Sequence, residues 1–123
     1  MQQLNIRNYA HIGDAVYEVF IREKTIYLTA NSNTLHKITI KYVNAQFQAD
    51  LLEKITEYLT AEEKDLVRRA RNIPTSSARR INHNLHRQAT AFEVLLGYNY
   101  INDKDRYQGL LAIIEKNIDF SIE

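Results

Sequence analysis

The segment YAHIGDAVYEVFIRE, residues 9–23, decides which fold this sequence adopts. It indicates a helix because apolar residues recur there, and just beyond it, at the spacing of one buried helical face: Ile12, Val16, Val19 and Ile26. Gly13 and Asp14 interrupt that pattern, since glycine costs roughly 1 kcal/mol relative to alanine inside a helix and aspartate is also a poor helix former. Some requirement other than helix stability must therefore explain the pair.

Asp14 shares one side of this helix with a small residue and a second carboxylate, because Ala10 and Glu18 each lie four residues away from it. A small residue beside a carboxylate would allow a second helix to approach closely. The same spacing is also typical of a solvated acidic surface on which a glycine is tolerated, so both interpretations stay open at this point.

Length and composition predict one domain over residues 1–123, since 45% of the 123 residues are hydrophobic and can form a core. No stretch approaches the roughly 18 consecutive apolar residues of a membrane span. The first ten residues, MQQLNIRNYA, lack the apolar segment of a secretory signal. The absence of cysteine excludes disulfides and thiolate metal sites. We therefore expect a cytoplasmic protein that does not enter a membrane.

The small net charge of +1 conceals a strongly basic segment. Residues 66–92 contain no Asp or Glu, whereas the rest of the chain is acidic overall. Such a concentration of positive charge predicts a phosphate-binding surface. The six arginines of this segment are Arg68, Arg69, Arg71, Arg79, Arg80 and Arg87.

Apolar periodicity and capping residues predict five helices and no strand, an all-α fold. A capping box, Thr60 with Glu63, marks the start of the third helix, and Asp103 is a plausible cap for the fifth. Asn72 to Asn84 contains the only proline, Pro74, and has no apolar period, so we expect a loop there. The first four helices are expected over about residues 8–28, 33–58, 61–71 and 85–101.

Glu93 repeats on the fourth helix the anomaly of Asp14 on the first. It is surrounded by apolar residues in TAFEVLLGYNYI, residues 90–101. An acid in apolar surroundings needs a partner for its charge. If Ala10 and Asp14 faced Glu93 and Gly97, the small residues would let the helices cross closely and the carboxylates would meet. A divalent cation such as Mg²⁺ would relieve their repulsion. The alternative is a structural ion pair between Glu93 and Arg87 or a neighbouring arginine.

Two segments resemble the acidic motifs of the ribonuclease III family: IGDAVYEVFIRE, residues 12–23, and TAFEVLLGYNYI. TLHKITIKYVNAQFQA, residues 34–49, and the VRRARN and HRQATAFE segments resemble the Mini-ribonuclease III branch of that family. The resemblance covers nearly the whole chain. It implies a ribonuclease III-type helical endonuclease domain without an attached domain that binds double-stranded RNA.

The resemblance also implies the site. Asp14 and Glu93 match the acids on which metal-dependent cleavage depends, with Mg²⁺ as the cofactor and Mn²⁺ as a substitute. Glu18 could orient water at the metal, or remain a surface carboxylate, and Thr90 could hydrogen-bond a metal-holding group or simply pack in the core. Ala10 and Thr90 stand where larger members of the family carry acids. Fewer carboxylates per site are therefore expected here.

The implied activity is metal-dependent cleavage of double-stranded RNA by a homodimer, with the precursor of large-subunit (23S) ribosomal RNA as substrate. The arginines would then contact phosphates and 2′-hydroxyl groups. Whether a ribosomal protein presents the substrate, as a further partner, stays open at this point. Two other classes remain: a non-catalytic RNA-binding or ribosome-assembly module, and a helical protein-interaction or DNA-binding domain.

Overall fold

The computed structural model describes residues 5–73 and 83–121. These residues form six α-helices and no strand, which confirms the all-α prediction. None of the described helices is long and apolar enough to cross a membrane. The helices are α1 (Ile6–Thr25), α2 (Ser32–Val43), α3 (Ala45–Ile55), α4 (Ala61–Arg71), α5 (His83–Asn102) and α6 (Lys104–Lys116), with a 3₁₀ turn at Thr56–Tyr58.

Helix α5 lies at the centre of the fold, in contact with α1, α3, α4 and α6. Its interface with α1 is the most extensive between any two described helices. A helix surrounded in this way must be apolar on several sides rather than along one stripe. Six consecutive or nearly consecutive residues of α5 are accordingly buried, namely Ala91, Phe92, Val94, Leu95, Leu96 and Gly97.

The backbones of α1 and α5 touch at two glycines. A Cβ atom added to Gly13 would overlap the Glu93 carbonyl group, and one added to Gly97 would overlap the Tyr9 carbonyl group. The close crossing expected from the small residues is therefore confirmed, but Gly13 rather than Ala10 provides the space on α1. The interpretation of Gly13 as a tolerated surface glycine is wrong, because Gly13 is buried.

The predicted buried face of α1 is right for Ile12 and Val16, which are half-buried, and wrong for Val19 and Ile26. Val19 and Ile26 are 56% and 55% exposed. The side of α1 that enters the core instead carries Tyr9, Gly13, Tyr17, Phe20, Ile21 and Thr25. Both sides have apolar residues at helical spacing, and contact with α5 through Gly13 selects the side with the larger aromatic residues.

The predicted second helix is two helices separated at Asn44. Asn44 ends α2 and caps α3, because its Oδ1 accepts a hydrogen bond from the Phe47 N–H at 2.9 Å. Its Nδ2 also donates to the Ile40 and Lys41 carbonyls, each at 3.1 Å. A side chain that satisfies both helix ends explains why the chain bends here although the apolar spacing continues.

The capping predictions are confirmed. Thr60 and Glu63 form a complete capping box at the start of α4, and Asp103 caps α6 by accepting from the Arg106 N–H. Glu63 also receives hydrogen bonds from Arg106, at 2.8 and 2.9 Å, and lies 3.4 Å from the Asn99 amide. One buried carboxylate thus joins the start of α4 to α5 and α6.

The predicted loop from Asn72 to Asn84 lies mostly outside the described residues. Its first residues follow the end of α4, and α5 begins at His83, two residues before the start predicted at Leu85. Pro74, Arg79 and Arg80 fall among the residues that the structure does not describe.

Candidate active site

The crossing of α1 and α5 brings Asp14 to Glu93. Gly13 rests against the backbone of Glu93, so the next residue of α1, Asp14, projects beside the Glu93 side chain. The two carboxyl groups are close enough to hydrogen-bond when one of them is protonated. Asp14 is exposed and Glu93 half-buried. The predicted meeting of the two acids is therefore present in the structure.

The electrostatics of the pair are those of two like charges in a partly buried position. Burial raises the pKa of Glu93, and the charge of Asp14 and a hydrogen bond with it raise this pKa further, to about 8. Hydrogen bonding from Gln48 acts in the opposite direction and lowers the pKa of Glu93. The groups acting on Glu93 are thus Asp14 and Gln48, which argues against the alternative of a structural ion pair with Arg87.

Gln48 is the residue of this site that sequence reasoning missed. It lies in the first turns of α3, is only 3% exposed, and donates from Nε2 to the Val43 carbonyl at 2.9 Å. No described group hydrogen-bonds its Oε1. The signal that could have found it is a polar amide among the apolar residues of a core-facing helix, the same kind of anomaly that revealed Glu93.

The residues at this crossing fit a hard divalent cation. Mg²⁺ is usually held by one or two carboxylates and keeps several waters. Asp14 and Glu93 supply two carboxylates, and the Gln48 amide that acts on Glu93 has a buried Oε1 without a described partner. Within residues 5–73 and 83–121 no cluster of three His, Asp or Glu side chains is arranged to hold a metal. The described part of the site therefore offers the two carboxylates of Asp14 and Glu93.

The other two predicted site residues lie near the pair without a described contact to it. Thr90 is half-buried on α5, three residues before Glu93. Glu18 forms an ion pair with Arg22 at 2.8 Å on the surface of α1. In this conformation the Glu18 carboxylate is directed along α1, so its predicted role in orienting water would require it to leave Arg22.

The predicted arginines divide into three groups. Arg68 and Arg69 on α4 both pair with Asp65, at 2.7 and 3.1 Å, so one acid just before the basic segment partly neutralises them. Arg87 is exposed on the first turns of α5, and Arg71 is half-exposed at the end of α4. Arg79 and Arg80 lie outside the described residues.

A polar groove of about 430 Å³ opens between α3, the end of α4 and the start of α5. Arg71 and Gln88 line it together with the acidic side chains of Asp50 and Glu53. Neither Asp14 nor Glu93 borders this groove. Its mixture of charges is not that of a phosphate-binding surface, so the α1–α5 crossing remains the better candidate site.

Known proteins are similar to this chain in sequence and in fold. The family model for the ribonuclease III domain matches residues 7–104. A Mini-ribonuclease 3 from Synechocystis is 38% identical over 115 residues, which are 94% of this chain and 80% of the relative. A Mini-ribonuclease 3 from Thermoanaerobacter is 41% identical over 107 residues, 85% of this chain and 75% of the relative. The crystal structure of a Fusobacterium nucleatum protein matches with a TM-score of 0.79 at 29% identity, over 94% of this chain and 95% of that one.

The six-helix fold, the carboxylate pair at its central crossing and the matched domain define a nuclease domain of the ribonuclease III type. The relatives narrow the assignment to one branch. The chain belongs to the Mini-ribonuclease 3 branch of the ribonuclease III family, a family of endoribonucleases.

Proposed function

We propose that this protein is a Mg²⁺-dependent endoribonuclease that hydrolyses phosphodiester bonds in double-stranded RNA. The observation that supports the proposal most directly is the meeting of Asp14 and Glu93 at the Gly13 contact between α1 and α5. Two carboxylates at one position repel each other, and a divalent cation bound between them offsets that repulsion. A cation bound there would lower the pKa of a water bound to it and would stabilise negative charge on the scissile phosphate.

In this proposal the protein's own groups bind and orient. Asp14 and Glu93 hold Mg²⁺, for which Mn²⁺ can substitute, and Thr90 hydrogen-bonds a group that holds the cation. Glu18 orients water after releasing Arg22. No side-chain nucleophile is required, because water is the attacking group in this reaction class.

The arginines serve to hold the duplex. Double-stranded RNA is recognised mainly through its shape, its phosphates and its 2′-hydroxyl groups. Of the six arginines in the basic segment, the structure describes four: Arg68, Arg69, Arg71 and Arg87. Since Asp65 pairs with two of them, a phosphate must compete with Asp65 for Arg68 and Arg69. Arg79 and Arg80 belong to the same proposed surface on the strength of the sequence alone.

The proposed assembly is a homodimer formed through α1. Val19 on α1 and Ile26 just after it are more than half exposed, and Tyr27 next to Ile26 is 90% exposed. A second copy would cover this apolar stripe by presenting the same stripe, as two-fold symmetry requires. Two sites related by that symmetry are also what cleavage of both strands needs.

The proposed substrate is the precursor of large-subunit (23S) ribosomal RNA, cut near its ends in the cytoplasm. The assignment rests on the resemblance to the Mini-ribonuclease III branch. A ribosomal protein that presents the RNA belongs to the same proposal.

Cleavage of a ribosomal-RNA precursor stem tests the proposal. We expect wild-type protein to cut it with Mg²⁺ and not with EDTA. Asp14→Asn and Glu93→Gln should fold, bind the RNA and lower the cleavage rate at least about 100-fold, because each removes a charged ligand of the cation. Asp50→Asn, which changes an exposed acid of α3 away from the crossing, is the matched control and should cut normally. Undiminished cleavage by either site variant would disprove the two-carboxylate site.

A non-catalytic RNA-binding or ribosome-assembly role is the second candidate. It is favoured by the presence of only two carboxylates at the crossing, within the part of the chain that the structure describes. In that case the wild type and both site variants would bind the precursor stem equally well, and none would cut it at any Mg²⁺ or Mn²⁺ concentration.

A further inference from the structure

The side-chain amide of Gln48 is buried at the proposed active site, and one of its hydrogen-bonding atoms has no described partner. The side chain is 3% exposed, and no described group donates a hydrogen bond to its Oε1. Leaving a buried polar atom without a partner destabilises the folded state. A leucine of similar size would avoid this cost on a helix whose other buried residues include Leu51, Leu52 and Ile55. Packing alone therefore does not explain a glutamine at this position.

The chemistry of its neighbours fixes which end of the amide faces which group. The Val43 carbonyl can only accept a hydrogen bond, so the atom 2.9 Å from it must be Nε2. Nε2 carries a second hydrogen, and hydrogen bonding from Gln48 also reaches the Glu93 carboxyl. The amide group thus lies between a backbone carbonyl and Glu93, and its Oε1 remains an acceptor without a partner among the described residues.

The break between α2 and α3 makes this arrangement possible. In a continuous helix the Val43 carbonyl would accept from the Phe47 N–H, four residues later. Here the Phe47 N–H donates to Asn44 Oδ1 instead, at 2.9 Å. The Val43 carbonyl is released from the helical pattern and accepts from Gln48. Asn44 therefore frees the carbonyl group that orients the Gln48 side chain, and this side chain in turn acts on Glu93.

We propose that Gln48 is a positioning residue of the active site, which holds the Glu93 carboxylate in the orientation that binds a divalent cation and accepts, through Oε1, a hydrogen bond from a water that hydrates the cation. This inference rests on the proposed function of Asp14 and Glu93. It adds a neutral contributor from α3 to a site otherwise built from α1 and α5. Partners that orient metal ligands typically change metal affinity 10- to 100-fold when they are removed.

Mn²⁺ binding in the absence of RNA, followed by calorimetry or electron paramagnetic resonance, tests the inference. Gln48→Leu removes both the donor and the acceptor at nearly constant volume. We expect its Mn²⁺ dissociation constant to rise 10- to 100-fold. Gln46→Leu is the matched control: Gln46 is an exposed amide two residues away that donates to Asp50 at 2.9 Å, so its loss should leave Mn²⁺ binding unchanged.

Two further readouts separate positioning from a merely structural role. In a Glu93→Gln background, Gln48→Leu should weaken Mn²⁺ binding less than it does in the wild type, because only the contact of Oε1 with a hydrating water is then left to lose. In cleavage assays Gln48→Leu should raise the metal concentration needed for half-maximal rate and leave KM for RNA unchanged. Mn²⁺ affinity within two-fold of wild type in folded Gln48→Leu protein would overturn the inference.

A measurement on the wild type covers the case in which Gln48→Leu does not fold. The NMR signals of the Gln48 side-chain amide should shift on addition of Mg²⁺, with the same midpoint as the backbone signals of Asp14 and Glu93. Absence of that shift at saturating Mg²⁺ would overturn the inference and leave the two-carboxylate site intact. Equal Mn²⁺ affinity of wild type and Glu93→Gln would instead overturn the proposed site and this inference with it.

Discussion

Glu93 carries a carboxyl group whose pKa is raised to about 8 from an ordinary 4.5, first by burial and then by the charge of Asp14. Between these two values the folded protein holds a proton that the unfolded chain has released. The protonated group contributes stability that is fully present below about pH 4.5 and is lost as the pH rises through about 8. A bound cation would reverse this dependence, since it favours the ionised form.

Metal-free protein should therefore become less stable with rising pH, and Glu93→Gln should reduce this loss. We expect the Tm of wild type in EDTA to fall between about pH 5 and pH 8.5, by an amount that corresponds to a few kcal/mol at about 1.4 kcal/mol per pKa unit. Thermal unfolding followed by circular dichroism measures this directly. Glu18→Gln, which changes a surface acid paired with Arg22, is the control and should keep the wild-type profile. If Glu93→Gln kept it as well, another group would be the one that titrates.

Single residues of the site differed in how far the sequence could reveal them. Asp14 and Glu93 were predictable because each breaks a local rule: an aspartate beside a glycine in a helix, and an acid in apolar surroundings. Gln48 is likewise a polar residue in apolar surroundings, but glutamine is a good helix former and therefore does not stand out in the sequence of α3. Its importance depends on the Val43 carbonyl and on Glu93, and contact with Glu93 is set by how α3 packs on α5.

At the scale of helices, the sequence predicted the right elements with two errors that have the same cause. Apolar residues recur across Asn44 without interruption, so one helix was expected where the Asn44 side chain ends α2 and begins α3. Two apolar sides of α1 have helical spacing, and only contact with α5 decides that Tyr17 enters the core while Val19 does not. Periodicity shows that a face is apolar, but tertiary contact determines which face is covered.

The crossing of α1 and α5 depends on the absence of a side chain at Gly13. Alanine is preferred over glycine in a helix by roughly 1 kcal/mol, so Gly13→Ala would stabilise an isolated α1. In the folded protein the added Cβ would overlap the Glu93 backbone, and the helices must separate. We expect Gly13→Ala to lower the free energy of unfolding by about 1–3 kcal/mol, the typical cost of overpacking a core, and to weaken Mn²⁺ binding.

Gly109 on α6 provides the matched control for this prediction. A Cβ atom added there would have Arg106 Nη1 as its nearest neighbour, at 4.0 Å. Gly109→Ala should therefore gain about 0.5–1 kcal/mol from helix propensity alone. Urea unfolding of the two variants gives the comparison. A Gly13→Ala variant as stable as Gly109→Ala would show that the two helices are not in backbone contact.

At the scale of the whole molecule, the unexpected exposure of α1 bears on assembly. The apolar residues of its outer side were predicted to lie in the core of one chain, yet Val19 and Ile26 remain more than half exposed. Asp14 lies on the same helix, so a dimer formed through this side would fix the distance between its two Asp14–Glu93 sites. Assembly and double-strand cleavage would then depend on the same helix.

Val19→Lys should therefore convert the protein to a monomer, since each dimer would bury two charges in an apolar contact. We expect analytical ultracentrifugation to show a loss of dimer, while Mn²⁺ binding at Asp14 and Glu93 is kept. Cleavage of both strands of a duplex should fall much more than metal affinity. Ile40→Lys, at a comparably exposed apolar position on α2, is the control and should remain dimeric. A Val19→Lys protein that sediments as wild type would place the dimer contact elsewhere, and a wild type that is monomeric while it cuts both strands would remove the need for one.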